Sequence, residues 1–421
     1  MKKLVIQGGK KLIGNIDISG SKNSTLPILA ATLLFDEKVI LKNIPFVRDI
    51  VTMCKLLENI GKKIIYFSKK NEIHIFPKKN KKFIAPYNLV KTMRAGVLVL
   101  GPLLSKYGKA QVSLPGGCAI GTRPVDLHIE MLKKMGASIE IQKGYIQAKV
   151  DKKLISTRLN FPSISVGATE NLIMASVLCK GTTVIKNIAI EPEIIDLVSF
   201  LKKAGANISF KAKRVIIIKG VNKLNGLSHA VIPDRIEAGT YAVAALITNG
   251  KITLNKIDIK NMSNIFTILQ NCGAQIKFIN TSSVMIYRKK NLHPIKIKTK
   301  PFPGFPTDMQ AQIMSLMCLT KGTSYVQEDI FENRFLHVSE LKRMGADITL
   351  KTKLAIIKGV KSLHGAEVMA TDLRASVSLV LAALSTKEKT VINRIYHLER
   401  GYENLVQKLR KCGAQITTIN A

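Results

Sequence analysis

The chain has 421 residues, which is long enough for two or three domains with sizeable cores. Hydrophobic residues make up 46% and charged residues 22%, so the composition excludes a disordered chain, a collagen-like chain and a small disulfide scaffold. The net charge of +37 would attract nucleic acid, acidic lipid or phosphorylated small molecules. However, the lysines are spread along nearly the whole chain, and the longest basic cluster, residues 78–82, has no interleaved aromatic residues, which is typical of solvated surface lysine. We expect no specific nucleic-acid partner.

The sequence contains neither a membrane span nor a secretory signal. No apolar run reaches the 18 residues that a bilayer-spanning helix needs. The N-terminal stretch is basic, but it reaches Gly8 and Gly9 without an apolar core. We therefore expect a cytoplasmic protein with no membrane partner.

The six cysteines predict reduced thiols and no metal site. They form no C-x-x-C pair, and no histidine lies at zinc-like spacing from them. Five of them lie in apolar or helical surroundings, where a small buried hydrophobic residue is expected: Cys54, Cys179, Cys272, Cys318 and Cys412. Cys118 is the exception, because it lies in a glycine-rich segment.

A short pattern that ends in glycine recurs six times along the chain. In each copy a leucine precedes the glycine by four residues, and an alternating strand pattern follows it. The glycines are Gly61, Gly136, Gly205, Gly273, Gly345 and Gly413. Glycine at this place predicts the left-handed residue that ends a helix. The spacing therefore predicts six α/β units of roughly 70 residues each.

A second pattern recurs in phase with the first. Apolar stretches rich in small residues at 171–179, 240–248 and 375–384 each lead into a β-branched strand. Helices this apolar are expected to be buried. Two closed groups of three units fit better than a linear solenoid, with the first strand, residues 3–7, pairing back with the last unit. We expect lobe one to hold residues 1–21 and 233–421 and lobe two residues 22–232, with a ligand cleft between them.

The most unusual segment is 114–126. It has three glycines and two prolines, which predict a long loop. This loop carries the Cys118 thiol, and Arg123 five residues later would favour the thiolate. A functional loop is one interpretation, and a plain surface loop with an incidental cysteine is the other.

Several polar residues stand at predicted helix openings, where two interpretations remain open. Lys22 follows Ser21, and this opening is typical of an anion site or of a simple N-cap. Asp308 precedes an apolar helix. It could be a helix cap or a general base, and the sequence favours the cap. Asp234 and Asp372 occupy the equivalent place in other units.

Arg334 and Arg400 are further arginines in polar, turn-rich segments. A lone arginine in such a segment is more often part of a surface ion pair than a ligand.

Nine segments carry the most specific information in the sequence. They are residues 20–23 (Gly-Ser-Lys-Asn), 93–95 (Met-Arg-Ala), 115–128 around Cys118, 165–169 (Ser-Val-Gly-Ala-Thr), 233–240, 306–308, 332–335, 371–374 and 399–402. Together, and over the whole chain, they closely resemble the UDP-N-acetylglucosamine enolpyruvyl transferases of the enolpyruvyl transferase family.

The resemblance implies an α/β fold of two lobes, an inside-out α/β barrel built from six β-α-β-α-β-β units with the active site in the cleft. It also implies transfer of the enolpyruvyl group of phosphoenolpyruvate to the 3′-hydroxyl of UDP-N-acetylglucosamine. Phosphate is released by addition and elimination, without a cofactor or metal. In bacteria this is the first committed step of peptidoglycan synthesis.

The resemblance also implies roles for individual residues. Cys118 matches the mobile thiol acid, which forms an adduct with phosphoenolpyruvate in this family and is alkylated by fosfomycin. Asp308 matches the residue that takes the sugar hydroxyl proton. Lys22 and Arg400 match catalytic cations around phosphoenolpyruvate.

The implied binding residues form two sets. Those for phosphoenolpyruvate are Lys22, Asn23, Arg123, Arg334, Arg374 and Arg400. Those for UDP-N-acetylglucosamine are Asn23, Arg94, Arg123, Pro124, Val125, Asp126, Leu127, Ser163, Ile164, Ser165, Val166, Asp308 and Ile330. One departure weakens the second set, because residues 161–165 (Phe-Pro-Ser-Ile-Ser) lack a lysine that some members carry there.

Three other functions would each account for part of the sequence. The shikimate-pathway enolpyruvyl transferase shares the fold but lacks a thiol loop of this kind, so Cys118 argues against it. A nucleic-acid-binding protein would use the net charge, but the chain has no recognised binding motif. A non-catalytic paralogue predicts loss of Cys118, Asp308 or Arg400, and all three are present.

Overall fold

The computed structural model describes residues 2–80, 82–116, 125–289 and 291–420. Contacts between Cα atoms divide these residues into two compact units. The first unit contains residues 2–19 and 233–420, and the second contains residues 20–116 and 125–232. Within the described part of the chain, no helix combines the length and the apolar character needed to cross a membrane.

Strands and helices recur together throughout the described residues. The strands are β1 Lys2–Gln7, β2 Ile13–Asp17, β3 Val39–Lys42, β4 Lys62–Phe67, β5 Glu72–Pro77, β6 Ile84–Ala85, β7 Lys109–Ser113, β8 Ser138–Gln142, β9 Tyr145–Lys149, β10 Arg158–Asn160, β11 Thr182–Lys186, β12 Asn207–Ala212, β13 Val215–Lys219, β14 Ser228–Ala230, β15 Lys251–Asn255, β16 Ala274–Asn280, β17 Ser283–Arg288, β18 Lys296–Lys298, β19 Thr323–Gln327, β20 Asp347–Lys351, β21 Leu354–Lys358, β22 Glu367–Met369, β23 Lys389–Asn393 and β24 Gln415–Asn420. The α-helices are α1 Lys22–Ala31, α2 Arg48–Ile60, α3 Tyr87–Val90, α4 Leu100–Tyr107, α5 Asp126–Lys134, α6 Val166–Ser176, α7 Pro192–Lys203, α8 Arg235–Ile247, α9 Ser263–Asn271, α10 Gln310–Met317, α11 His337–Arg343, α12 Leu373–Ser385 and α13 Leu405–Lys411. Short 3₁₀ helices span Thr32–Leu34, Ser68–Lys70, Arg94–Val99, Lys260–Met262, Thr307–Met309 and Ile395–Arg400.

Six four-stranded sheets share one topology. Their strand orders are β14-β3-β5-β4, β6-β7-β9-β8 and β10-β11-β13-β12 in the second unit, and β2-β15-β17-β16, β18-β19-β21-β20 and β22-β23-β1-β24 in the first. In every sheet one outer strand is parallel to its neighbour, and the remaining pairs are antiparallel. This sixfold recurrence confirms the repeats that the sequence predicts, three in each unit.

The first strand completes the last sheet. β1 lies between β23 and β24, so that Leu4 stands opposite both Ile392 and Thr418. The pairing confirms the expectation that the N-terminal strand returns to the last repeat.

Each repeated glycine adopts the backbone conformation that the sequence predicts. The φ angles of Gly61, Gly136, Gly205, Gly273, Gly345 and Gly413 lie between 87° and 124°. An L-residue with a side chain rarely adopts this region, which explains why glycine recurs there.

The small-residue helices α6, α8 and α12 are buried, as expected from their composition. Ala244 and Leu379, for example, have no exposed surface. α6 and α8 begin five residues before the apolar stretches at 171 and 240, and α12 begins two residues before the stretch at 375. A polar N-cap precedes each helix. The caps are Ser165, Asp234 and Asp372, whose side chains accept hydrogen bonds from the first backbone N–H groups.

Candidate active site

The start of α1 presents Lys22 beside a buried carboxylate. The Ser21 side chain accepts a hydrogen bond from the backbone N–H of Ser24 at 3.2 Å, so the N-cap interpretation of this opening is confirmed. The Lys22 Nζ lies 3.4 Å from Oδ2 of Asp49 in the first turn of α2, and 12% and 6% of the two side chains are exposed. The opening is therefore both a cap and a site of fixed positive charge.

A second buried carboxylate holds the first turn of α1 in place. Asp196 on α7 accepts hydrogen bonds from the Ser24 hydroxyl at 2.5 Å and from the backbone N–H of Ile232 at 3.2 Å. Its other oxygen lies 2.9 Å from Nε2 of His229. These contacts fix the position from which Lys22 and Asn23 extend.

Three other predicted residues in this unit also begin helices. Arg94 is the first residue of a 3₁₀ helix, and Asp126, followed by Leu127, begins α5. Val166 begins α6, which packs against both of the other helices. The free N–H groups of such helix starts suit anionic ligands.

Asn171 holds these helices together. Its side-chain amide donates to the Val97 carbonyl at 3.1 Å and lies 2.9 Å from Nδ1 of His128, while its oxygen accepts from the Gly101 N–H at 2.6 Å. Burial lowers the pKa of His128 to about 4, so the imidazole is neutral at pH 7.

The segment that departs from the family pattern makes ordinary cap contacts. The hydroxyl of Ser165 accepts from the Ala168 N–H at 3.3 Å. Ser163 and Val166 are exposed, and Ile164 is half-buried. Val125 directly precedes α5 and is also half-buried.

Asp308 lies at the centre of an ion cluster in the first unit. Its Oδ1 accepts a hydrogen bond from Nη2 of Arg334 at 2.8 Å, and its Oδ2 accepts one from Nη2 of Arg374 at 2.7 Å. The helix-cap interpretation of Asp308 is wrong, because Pro306 and Met309 occupy the cap positions of the two adjoining helices. The carboxylate instead faces two guanidinium groups that come from different parts of the chain.

The two arginines are almost completely buried. Arg334 is 3% exposed and Arg374 is 5% exposed, so the surface ion-pair interpretation of Arg334 is also wrong. Burial acts to lower the pKa of Arg374, but the charges of Asp308, Tyr402 and Asp234 and the hydrogen bond to Asp308 together outweigh it, and the pKa is raised. The Arg374 guanidinium therefore stays charged.

Tyr402 extends this cluster into the core. Its hydroxyl accepts a hydrogen bond from Nη1 of Arg374 at 3.1 Å and shares one of 2.9 Å with the hydroxyl of Thr240. Burial raises the pKa of Tyr402, so the hydroxyl stays protonated. The tyrosine hydroxyl binds Nη1 of Arg374, while Asp308 binds Nη2, so both ends of the guanidinium are held.

Arg400 and Ile330 lie elsewhere in the same unit. Arg400 ends the 3₁₀ helix Ile395–Arg400 and is half-buried. Burial, and then the charge of Arg400, lower the pKa of His397 on the same helix. Ile330 follows β19 and is 37% exposed.

Cys118, Arg123 and Pro124 lie outside the described residues. The other five cysteines are buried, which confirms their predicted environment. Burial raises the pKa of Cys54, Cys179, Cys272 and Cys318 to about 12 and also raises that of Cys412. These thiols are therefore protonated and unreactive at neutral pH.

Sequence reasoning missed four residues that support the site: Asp49, Asn171, Asp196 and Glu328. Each is polar and is buried inside an apolar element or directly after one. A polar residue among apolar neighbours in the sequence indicates a buried polar side chain, and such a side chain normally has a hydrogen-bond partner. This pattern was the signal that could have identified them.

Comparison with known proteins identifies the family. The family model described as EPSP synthase (3-phosphoshikimate 1-carboxyvinyltransferase) matches residues 6–409. The UDP-N-acetylglucosamine 1-carboxyvinyltransferase of Pelagibacter ubique is 54% identical over 420 residues, covering 100% of both chains. The enzyme of the same name from Endomicrobium trichonymphae is 51% identical with the same coverage. The chain belongs to the enolpyruvyl transferase family.

Solved structures of enolpyruvyl transferases share the fold. NikO from Streptomyces tendae superposes with a TM-score of 0.90 at 22% identity, covering 100% of this chain and 99% of that one. EPSP synthase from Acinetobacter baumannii gives a TM-score of 0.79 at 17% identity, with both chains fully covered. The six-repeat α/β fold of the family is therefore confirmed for this chain.

Proposed function

We propose that this protein transfers the enolpyruvyl group of phosphoenolpyruvate to the 3′-hydroxyl of UDP-N-acetylglucosamine and releases phosphate. This is the first committed step of peptidoglycan synthesis. The observation that carries the proposal is the full-length identity of 50% to 54% to relatives named for this reaction. The Asp308 cluster supplies the matching chemistry.

Asp308 is proposed as the base for the sugar hydroxyl. Attack on C2 of phosphoenolpyruvate requires the hydroxyl to lose its proton, and a carboxylate within hydrogen-bond reach accepts it. Arg334 and Arg374 bind one carboxylate oxygen each, at 2.8 and 2.7 Å, which fixes the orientation of the group before substrate arrives.

Cys118 is proposed as the acid that protonates C3 of phosphoenolpyruvate. With the new C2–O bond, this proton gives a tetrahedral phospho-ketal. Loss of a proton from C3 and departure of phosphate then restore the enol ether. The thiol must be reactive for this role, unlike the five buried cysteines.

Cations are proposed to bind the phosphate and carboxylate of phosphoenolpyruvate. The assigned cations are Lys22, Arg123, Arg334, Arg374 and Arg400, and the neutral amide of Asn23 is assigned beside them. Fixed cations stabilise charge that develops as the phosphate leaves. The buried pair of Lys22 and Asp49 supports this role, because it holds the ammonium in place at a helix start.

The sugar nucleotide is proposed to bind Asn23, Arg94, residues 123–127 and residues 163–166, together with Asp308 and Ile330. We propose that the units are the two catalytic lobes, residues 1–21 with 233–421 and residues 22–232. The cytoplasmic location expected from the sequence is part of the same proposal.

Phosphate release tests this function directly. Wild-type protein and Cys118→Ser are incubated with phosphoenolpyruvate alone, with UDP-N-acetylglucosamine added, or with 3-phosphoshikimate added. We expect release only with the sugar nucleotide, and its near-complete loss in Cys118→Ser. Release with 3-phosphoshikimate would favour the shikimate-pathway enzyme, and no release by folded protein would contradict both assignments.

A further inference from the structure

Glu328 is a buried carboxylate at the end of β19 that the proposed mechanism does not use. It is 1% exposed, and its backbone N–H donates to the Lys353 carbonyl at 2.8 Å, so its main chain is fixed to the sheet. A carboxylate this buried requires several hydrogen-bond donors.

The three donors to Glu328 come from two different segments. Oε1 accepts from the backbone N–H groups of Ile330 at 2.8 Å and Phe331 at 3.1 Å. Oε2 accepts from the hydroxyl of Thr307 at 2.8 Å. One carboxylate therefore joins the turn after β19 to the segment that precedes α10.

Both segments lead to the same ion pair. Thr307 is the neighbour of Asp308 in the chain, and the Phe331 ring lies 5.3 Å from the guanidinium of Arg334. Arg334 in turn donates to Asp308 at 2.8 Å. These contacts form a closed network, in which Glu328 holds the segments that carry Asp308 and Arg334.

We propose that Glu328 is a positioning residue for the reaction. It fixes Asp308 through Thr307, and it fixes Ile330 through the backbone of residues 330–331, so that both side chains are correctly placed for the sugar nucleotide. This inference rests on the proposed function, in which Asp308 takes the sugar hydroxyl proton. Glu328 itself touches no reacting atom. A shift of about 1 Å in a reacting group lowers turnover by about 100-fold.

Two substitutions separate positioning from simple folding stability. Glu328→Ala removes all three hydrogen bonds, and we expect kcat per folded enzyme to fall about 100-fold with a smaller change in the KM for phosphoenolpyruvate. Glu328→Gln keeps an oxygen for the two N–H groups and an amide for the Thr307 hydroxyl, so it should restore most of kcat. A purely structural role would lower the melting temperature and leave kcat per folded molecule unchanged.

Thr307→Val tests the hydrogen bond between Thr307 and Glu328. It should lower kcat by less than Glu328→Ala and should add little to that variant, because both changes release the same carboxylate. Asp258→Ala is the matched control, because it removes the hydrogen bonds that Asp258 accepts from the N–H groups of Lys260 at 3.0 Å and Asn261 at 3.4 Å in the same unit. We expect its kcat to remain that of the wild type.

Hydrogen exchange gives a readout that does not depend on activity. The Ile330 and Phe331 amides should exchange faster in Glu328→Ala than in wild type or Glu328→Gln. Unchanged exchange, a kcat of Glu328→Ala within about two-fold of wild type, or equal losses in the Ala and Gln variants would overturn the inference. Wild-type protein that releases no phosphate, but shows the expected exchange, would instead contradict the proposed function.

Discussion

The ammonium of Lys408 and the carboxylate of Glu237 lie 2.7 Å apart inside the first compact unit. The same carboxylate accepts a hydrogen bond of 2.7 Å from the backbone N–H of Ser19, and it is 2% exposed. Burial nevertheless outweighs these partners and raises the pKa of Glu237 to about 6. The folded protein therefore binds this proton more tightly than the unfolded chain.

This pKa predicts a pH dependence of stability. Because the pKa in the folded state exceeds its ordinary value of 4.5, the stabilisation is complete below pH 4.5 and is lost as the pH rises through about 6. The loss amounts to about 2 kcal/mol of unfolding free energy. Urea unfolding between pH 4 and about 7 should show this decline in wild type and not in Glu237→Gln. Glu130→Gln, which changes an exposed glutamate, should keep the wild-type slope.

Asp308→Asn should affect both turnover and stability. The amide cannot take the hydroxyl proton, so phosphate release should fall by at least about 100-fold. Two buried arginines also lose their shared negative charge, which should lower the unfolding free energy by about 3 kcal/mol. Asp17→Asn is the control, because its ion pair with Lys256 is exposed and should cost less than about 1 kcal/mol. Wild-type turnover in Asp308→Asn would refute its role as the base.

Native protein should react with one equivalent of maleimide at neutral pH. The five described cysteines are buried with raised pKa values, and the sequence predicts an exposed thiol at Cys118. Mass spectrometry should find one adduct in wild type and none in Cys118→Ser. A second rapidly labelled thiol would contradict the predicted difference between these environments.

Gly205→Ala should destabilise the protein through its backbone alone. The φ of Gly205 is 100°, while the nearest atom to an added Cβ, Nδ2 of Asn225, is 3.7 Å away. The methyl group has room, so the expected cost of about 1 to 2 kcal/mol reflects conformational strain. Gly205→Asn should cost less, because asparagine tolerates positive φ better than alanine. Equal unfolding midpoints for wild type and Gly205→Ala would contradict this explanation.

Local and periodic features of the fold were predictable from the sequence. The glycines that end helices, the buried small-residue helices and the return of the first strand follow from spacing and composition. Asp234 and Asp372 were predicted at the openings of α8 and α12, and the structure confirms both as N-caps. The start of α6 was predicted too late, because its cap at Ser165 precedes the apolar stretch at 171–179.

The contacts of the candidate site depend on residues far apart in the chain. Arg334 and Arg374 follow Asp308 by 26 and 66 residues, so no local pattern indicates that they meet there. A helix cap was therefore the simpler interpretation of Asp308, whereas in the folded protein its carboxylate forms two ion pairs. Glu328 was missed for the same reason, since Thr307 lies 21 residues before it.

The position of β1 between β23 and β24 has a consequence for biosynthesis. A ribosome makes β1 and β2 first, but β15, the parallel partner of β2, begins at Lys251, and the partners of β1 begin at Lys389. Residues 20–232 are complete before any of these partners exist. The nascent chain thus carries Leu4 and Ile6, both fully buried in the finished protein, as an unpaired apolar strand during most of translation. This segment is therefore open to aggregation until the last sheet closes.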